Sequence, residues 1–216
     1  MEKNSLEARI DELEAKIRQS SAFVEIMNLQ SRFNYYLEAN ETDKIVDELF
    51  AQKNPHVKCE ISDSGVYEGI EQIRAFWEAR HEIQAERGYF GTIMLRTPHV
   101  RVDQDGKTAK GMWHAFGANS LQATPYPCDQ EKLTAIWFMG KYSNEYVKED
   151  GRWKIQSLRL IHYFYSPYEQ GWIKQSDAYR IAPPPSVCQP SEASALSYMY
   201  HPHGDNDFLR QIPEPD

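Results

Sequence analysis

Cysteine is scarce and scattered. The 216-residue chain has three, Cys59, Cys128 and Cys188, an odd number with no Cys-x-x-Cys pair. That excludes a zinc knuckle and a disulfide framework as organising devices. No run approaches the ~20 apolar residues that a membrane span needs. The first residues, Met1-Glu-Lys-Asn-Ser-Leu-Glu-Ala-Arg9, lack the apolar core of a secretory leader. Basic residues do not cluster and the net charge is −8, which argues against nucleic acid or an anionic membrane as partner. Gly-rich phosphate loops, Ser–His–Asp arrangements and activated-cysteine signatures are missing too. His201-Pro-His203 has a metal-like spacing, but only Asp205 and Asp207 stand nearby, so a structural or surface pair is expected and no metal. These absences leave a soluble, cytoplasmic protein that handles a small molecule without a cofactor.

What is present divides the chain into three parts: an N-terminal helical extension (1–20), a central domain (21–166) and a C-terminal arm (167–216). Residues 4–39 read as helix. Within them Leu6, Ile10, Leu13 and Ile17 alternate four and three apart, the spacing of a coiled-coil seam. Two readings stand: an oligomerisation helix, giving a homodimer or homotrimer, or an amphipathic cap on the chain's own sheet. A short helix follows over Asp43–Phe50, with Thr42 as its cap. Ile70–Ala85 is a third helix with Ile73, Phe76 and Trp77 on one stripe. Strands are expected at 57–62, 92–102, 108–119, 132–147 and 152–165. Helices followed by a long antiparallel meander predict an α+β fold, a curved sheet wrapped over helices into a cone whose mouth takes the ligand. The arm, interrupted at Ile181-Ala-Pro-Pro-Pro-Ser186, still carries Trp172, Tyr179, Tyr198, Tyr200 and Phe208. Disordered tails are poor in aromatics, so an ordered arm is expected, over its own cone or a neighbouring subunit.

The densest local signal is Gly140-Lys-Tyr-Ser-Asn-Glu-Tyr-Val-Lys-Glu-Asp-Gly-Arg-Trp-Lys-Ile155, continuing to Tyr165. It reads as two long strands joined at Glu149-Asp150-Gly151, since Asp-Gly suits a tight hairpin. This stretch resembles the terminal hairpin of the SnoaL-like branch of the nuclear transport factor 2-like superfamily. Tyr36–Asp43 through Leu49-Phe50-Ala51, and Val100-Arg-Val-Asp-Gln-Asp-Gly-Lys-Thr-Ala109, resemble two further patches of that family in the right order. The resemblance implies the cone-shaped α+β barrel. It does not name a function, because the superfamily holds enzymes, binders and transport factors.

Similarity to the superfamily's dehydratases, the bile-acid 7α-dehydratase type among them, maps Tyr35 onto a catalytic Tyr and Asn40 onto a catalytic Asp. Asn cannot accept a proton as a base, so the usual Asp–His pair is in doubt. Its histidine position falls near Ile93 or Met94. Tyr35 and Tyr36 both stand as pocket candidates, although one must serve core packing. His99 belongs to a strand surface or the pocket rim. His114 lies mid-strand among aromatics and is either a proton shuttle or a hydrogen-bonded structural residue. Strict alternation on the last strand puts Arg159, Ile161, Tyr163 and Tyr165 on one face, and Leu158, Leu160, His162 and Phe164 on the other. Arg159 with Tyr163 is the choice for the inside, since a buried guanidinium suits a phenolate or enolate oxygen; the alternative is a surface salt bridge on the outer face. Tyr142 on the preceding strand joins them. The loop from Ala118 to Glu131 is either a lid or an ordinary hairpin connection.

The expected activity is cofactor-independent lyase or dehydratase chemistry on a hydrophobic, aromatic, hydroxylated molecule. Tyr35, His114 and Arg159 would be catalytic; Tyr36, Asn40, His99, Tyr142, Tyr163 and Tyr165 would bind substrate. Similarity to the extended members that cleave lignin-derived diarylpropane diols adds carbon–carbon cleavage with loss of a small aldehyde. The alternatives are a ketone isomerase or polyketide cyclase using Glu38 or Glu60, and a non-catalytic binding module.

Overall fold

A computed structural model describes residues 2–61, 64–122, 133–176, 188–194 and 200–206. Helix α1, Glu2–Glu38, is built from strong helix formers, with Glu12–Lys16 and Glu14–Arg18 pairs one turn apart at 2.6 and 3.4 Å. Its C-terminus is a Schellman motif. Asn40 takes φ 57°, its N–H donates to the Leu37 carbonyl, and the Glu41 N–H reaches back to Tyr36. The chain then forms α2, Thr42–Lys44, and one π-helical turn, Ile45–Leu49. Thr42 is not the expected cap. Glu41 occupies that position and no side chain bonds there.

Two short strands follow, β1 (Lys58–Ile61) and β2 (Val66–Glu68). Helix α3, Ile70–Ala85, starts from Gly69 at φ 87° and buries one stripe: Ile73, Phe76, Trp77, Arg80 and Gln84. The long strands are β3 (Phe90–Val102), β4 (Thr108–Gln122), β5 (Leu133–Glu149) and β6 (Arg152–Pro167), followed by the single turn α4 (Gly171–Lys174). One sheet contains all six strands, in the order β2-β1-β6-β5-β4-β3. Among the described strands β1–β6 is the parallel pair and the other pairs are antiparallel. The β5–β6 turn is the expected Asp-Gly hairpin, Asp150 and Gly151 both having positive φ between paired Glu149 and Arg152.

Three register shifts bend the sheet over the helices. β3 has one extra residue near Thr97, and β6 has two, Gln156 and Tyr163, each opposite consecutive residues of β5. At Gly140 a Cβ would stand 2.2 Å from the Ile161 carbonyl oxygen, so only glycine allows the approach that the second β6 bulge requires. The concave face packs Trp113, Phe138, Tyr142, Tyr146, Ile155, Leu158 and Leu160 against Ile26, Leu29 and Phe33 of α1 and Phe76 and Trp77 of α3. Burial of each large side chain contributes about 1.5–3 kcal/mol. This is the α+β cone: helices inside a curved, unclosed sheet.

Described parts of the arm bind the outside of their own cone. Glu192 bridges to Val66 on the β2 edge, Pro190 packs on Gly65, and the Tyr200 N–H donates to the Tyr163 carbonyl. Of the arm's aromatics, Tyr179, Tyr198 and Phe208 lie outside the described residues, as do residues 123–132 of the expected lid.

Candidate functional site

The concave face closes around a cavity lined by Phe33, Leu37 and Glu38 of α1, Trp77, Arg80 and Gln84 of α3, and residues of all four long strands. Its free volume is about 40 Å³, room for a few waters rather than a ring system. The mouth lies at the free edge of the sheet, where Tyr89, Gly91, Thr92 and Ile93 meet Glu38. There the Thr92 hydroxyl donates to Glu38 Oε1 at 2.5 Å, and the Asn34 amide holds the Ile93 carbonyl at 3.0 Å.

Arg80 sets the electrostatics. It is buried, and neither its Nε nor its Nη1 has a hydrogen-bond partner; no described carboxylate pairs with it. A guanidinium stripped of water without a counterion costs several kcal/mol, so such a group is a candidate for work done on a ligand. Gln84, one turn along the stripe, donates to the Tyr89 hydroxyl at 3.3 Å while its own Oε1 is unpartnered. Facing them from β6 is His162. Burial, with the Arg80 charge second, pushes its pKa down to about 3, so the imidazole is neutral at physiological pH.

Around His162 the walls are aromatic. Its ring lies 5.0 Å from Phe138 and 5.2 Å from Tyr165, and Tyr165 stacks on Phe138 at 5.6 Å. The Tyr165 hydroxyl accepts from the Asn119 amide at 2.6 Å. Tyr142 meets Phe33 edge to face at 6.0 Å. Burial raises the pKa of both tyrosines, keeping them protonated and able to donate.

Of the residues expected at the site, only Tyr142 and Tyr165 are in this interior. Arg159 is not. It sits on the convex face, 3.2 Å from Glu60, with its side chain 38% exposed. Tyr163 is one of the two bulged residues of β6 and contacts His114 on that same outer face, ring centroids 6.4 Å apart. His114 is exposed on the convex face and hydrogen-bonded to Thr97 at 2.6 Å. His99 is exposed on the edge strand. Tyr35 is 70% exposed, and Tyr36 donates to Glu48 at 2.7 Å outside the cavity. Asn40 serves the helix end, donating to the His81 carbonyl at 3.2 Å. Ile93, at the position where the family histidine would stand, does line the cavity.

The face of β6 was misread because its bulges break alternation. The inward set is Trp153, Ile155, Leu158, Leu160, His162 and Tyr165, with Gln156 and Tyr163 as the extra residues. Arg80 and Gln84 had a legible signal: they continue the Ile73–Phe76–Trp77 stripe at helical spacing, three and seven residues past Trp77.

The cone architecture recurs among solved structures. A type 2 hexachlorocyclohexane dehydrochlorinase, LinA, aligns with TM-score 0.58 and 14% identity over 70% of this chain and 92% of its own. A putative scytalone dehydratase from Novosphingobium aromaticivorans gives 0.52 and 14% over 71% and 89%. An NTF2-like superfamily protein from Salmonella enterica gives 0.52 and 18% over 68% and 92%. At these identities the likeness is one of fold. No curated protein matches the sequence. Residues 18–159, well over half of the chain, match the family model of the SnoaL-like domain, and the chain belongs to that family.

Proposed function

We propose that the protein is a cofactor-independent lyase of the dehydratase kind, acting on a compact, hydroxylated aromatic or carbonyl compound inside the cone. The observation that carries this reading is the pairing in one cavity of Arg80, a buried cation lacking a described counterion, with the neutral imidazole of His162. Relatives in fold that are described as a dehydrochlorinase and a putative dehydratase support the elimination class.

The substrate oxygen that gains negative charge sits at Arg80, whose field is undamped by water. His162 takes the proton from the carbon next to the carbonyl. The electron pair moves onto that oxygen and is held by the guanidinium. The pair then returns, the β C–O bond breaks, and the hydroxyl leaves as water with a proton from Tyr142 or Tyr165. Charge on the oxygen neutralises Arg80 while His162 is being protonated, so the imidazole becomes more basic as the reaction proceeds. The 40 Å³ of free space means that the rim at Tyr89–Ile93, on an edge strand paired on one side only, opens to admit a ring.

Glu38 favours a second reading. It is a carboxylate at the same cavity, as an isomerase or cyclase of ketones would use. Glu60 does not share that place, being held by Arg159 and Ser194 outside.

The test is incubation without cofactor with hydroxylated diaryl compounds, β-hydroxy ketones and keto polycycles, following ultraviolet absorbance and released aldehyde. Elimination that falls ~10²-fold or more in both Arg80→Met and His162→Gln is expected. Isomerisation lost in Glu38→Gln but kept in His162→Gln would establish the second reading. Tight binding without turnover would leave a binding module.

A further inference from the structure

We infer that the N-terminal part of α1 is a dimerisation strut: it pairs with the same helix of a second copy as a parallel two-stranded coiled coil. From Leu6 to Ser21 every residue is exposed apart from half-buried Ala15, and burial sets in at Ala22 after that stretch. This part of the helix therefore projects about 24 Å without packing on its own cone. The alternative of a cap on the chain's own sheet is removed.

A helix polar all round could stand alone in water, but this one is not. Leu6, Ile10, Leu13, Ile17 and Val24 are 59, 47, 58, 64 and 55% exposed and fall on one seam of the heptad repeat. With Ile10 at position a, the a residues are Ile10, Ile17 and Val24, and the d residues are Leu6, Leu13 and Ser20. β-Branched side chains at a with Leu at d favour two parallel strands over three or four.

Charge then selects both the partner and its direction. The flanking g positions hold Arg9 and Lys16; the e positions hold Glu7 and Glu14. In a parallel pair each g residue faces the e residue five places on in the other copy, which joins Arg9 to Glu14 twice. In an antiparallel pair e faces e and g faces g, setting glutamates against glutamates and lysine and arginine against each other. Residue 2, a glutamate at the preceding g position, is the departure among charged flanking sites. Within one chain, Lys16 and Glu14 are held only by exposed pairs to Glu12 and Arg18, which are weak and free to exchange.

The experiment is sedimentation velocity on the full chain at micromolar concentration, with near-ultraviolet circular dichroism to check the cone. A dimer is expected. Leu13→Glu weakens it ~100-fold or more and leaves the near-ultraviolet spectrum unchanged, because residue 13 touches nothing in its own cone. Arg9→Glu and Glu14→Arg each weaken self-association, and mixing the two variants restores a heterodimer. Leu6→Cys cross-links to a covalent dimer under mild oxidation. A monomeric wild type, or a dimer indifferent to Leu13→Glu, would overturn the inference. A dimer that Leu13→Glu breaks but Leu6→Cys does not cross-link would overturn the parallel arrangement.

Discussion

Acidification probes the interior of the cone through a single group. His162 has a pKa of about 3 in the folded protein and 6.5 as a free side chain, with burial the main cause and Arg80 the second. The shift is downward for a base, so the unfolded chain binds the extra proton below pH 6.5 and the native state does not. Stability is therefore full above about pH 6.5 and declines as pH falls toward about 3. From the two pKa values the loss is about 2 kcal/mol at pH 5 and approaches about 5 kcal/mol near pH 3. Exposed carboxylates such as Glu68 and Asp150, whose pKa values are lowered by His56 and Lys53, also lose stabilising partners on acidification. The measurement is accordingly a difference: urea unfolding of wild type and His162→Gln at pH 8 and pH 5. The wild type should lose about 2 kcal/mol more than the variant over that interval. Equal losses would mean that His162 is solvated or already charged, and the neutral base of the proposed mechanism would fall with it.

Other substitutions test separate parts of the construction. Arg80→Met removes, at similar volume, a buried charge with no counterion among the described residues, so it should raise stability by about 1–4 kcal/mol in urea unfolding even as it removes activity. Gly140→Ala forces a carbon against the Ile161 carbonyl oxygen and should cost about 1–3 kcal/mol in the same assay. Asn144 donates to Gln30 at 2.9 Å and accepts the Arg159 N–H at 3.0 Å, so Asn144→Leu should cost about 1–3 kcal/mol by leaving buried groups unpaired. His114→Ala, on the convex face, should leave any turnover within about twofold of wild type.

The elements were legible because each has a strong local cause. Ile70–Ala85 is marked by Gly69 and the Ile73–Phe76–Trp77 stripe, and the last hairpin by Asp150-Gly151 between two alternating runs. The site was less so, for three physical reasons. The bulge at Tyr163 puts His162 and Tyr165 on one face although they stand three positions apart. The bulge at Gln156 likewise puts Ile155 and Leu158 on that face, and a bulge leaves no mark on a single sequence. Asn40 is where helix α1 must turn left-handed, a backbone need that outweighs any side-chain role mapped onto it. Arg80, by contrast, could have been found: charge on the buried stripe of an amphipathic helix is the informative exception. Tyr35 was open to the same check. The inward stripe Ile26–Leu29–Phe33–Leu37 passes it by.

The central claim is that the cone holds a developing oxyanion against Arg80. Binding of a naphthol, with its ionisation followed by the absorbance of the anion across pH, tests this most directly. Next to Arg80 the bound phenol should ionise at least about one pH unit lower than in water, equivalent to about 1.4 kcal/mol, and Arg80→Met should abolish that shift. A phenol that fails to bind, that binds with its ionisation unmoved, or that shifts equally in Arg80→Met would contradict the account.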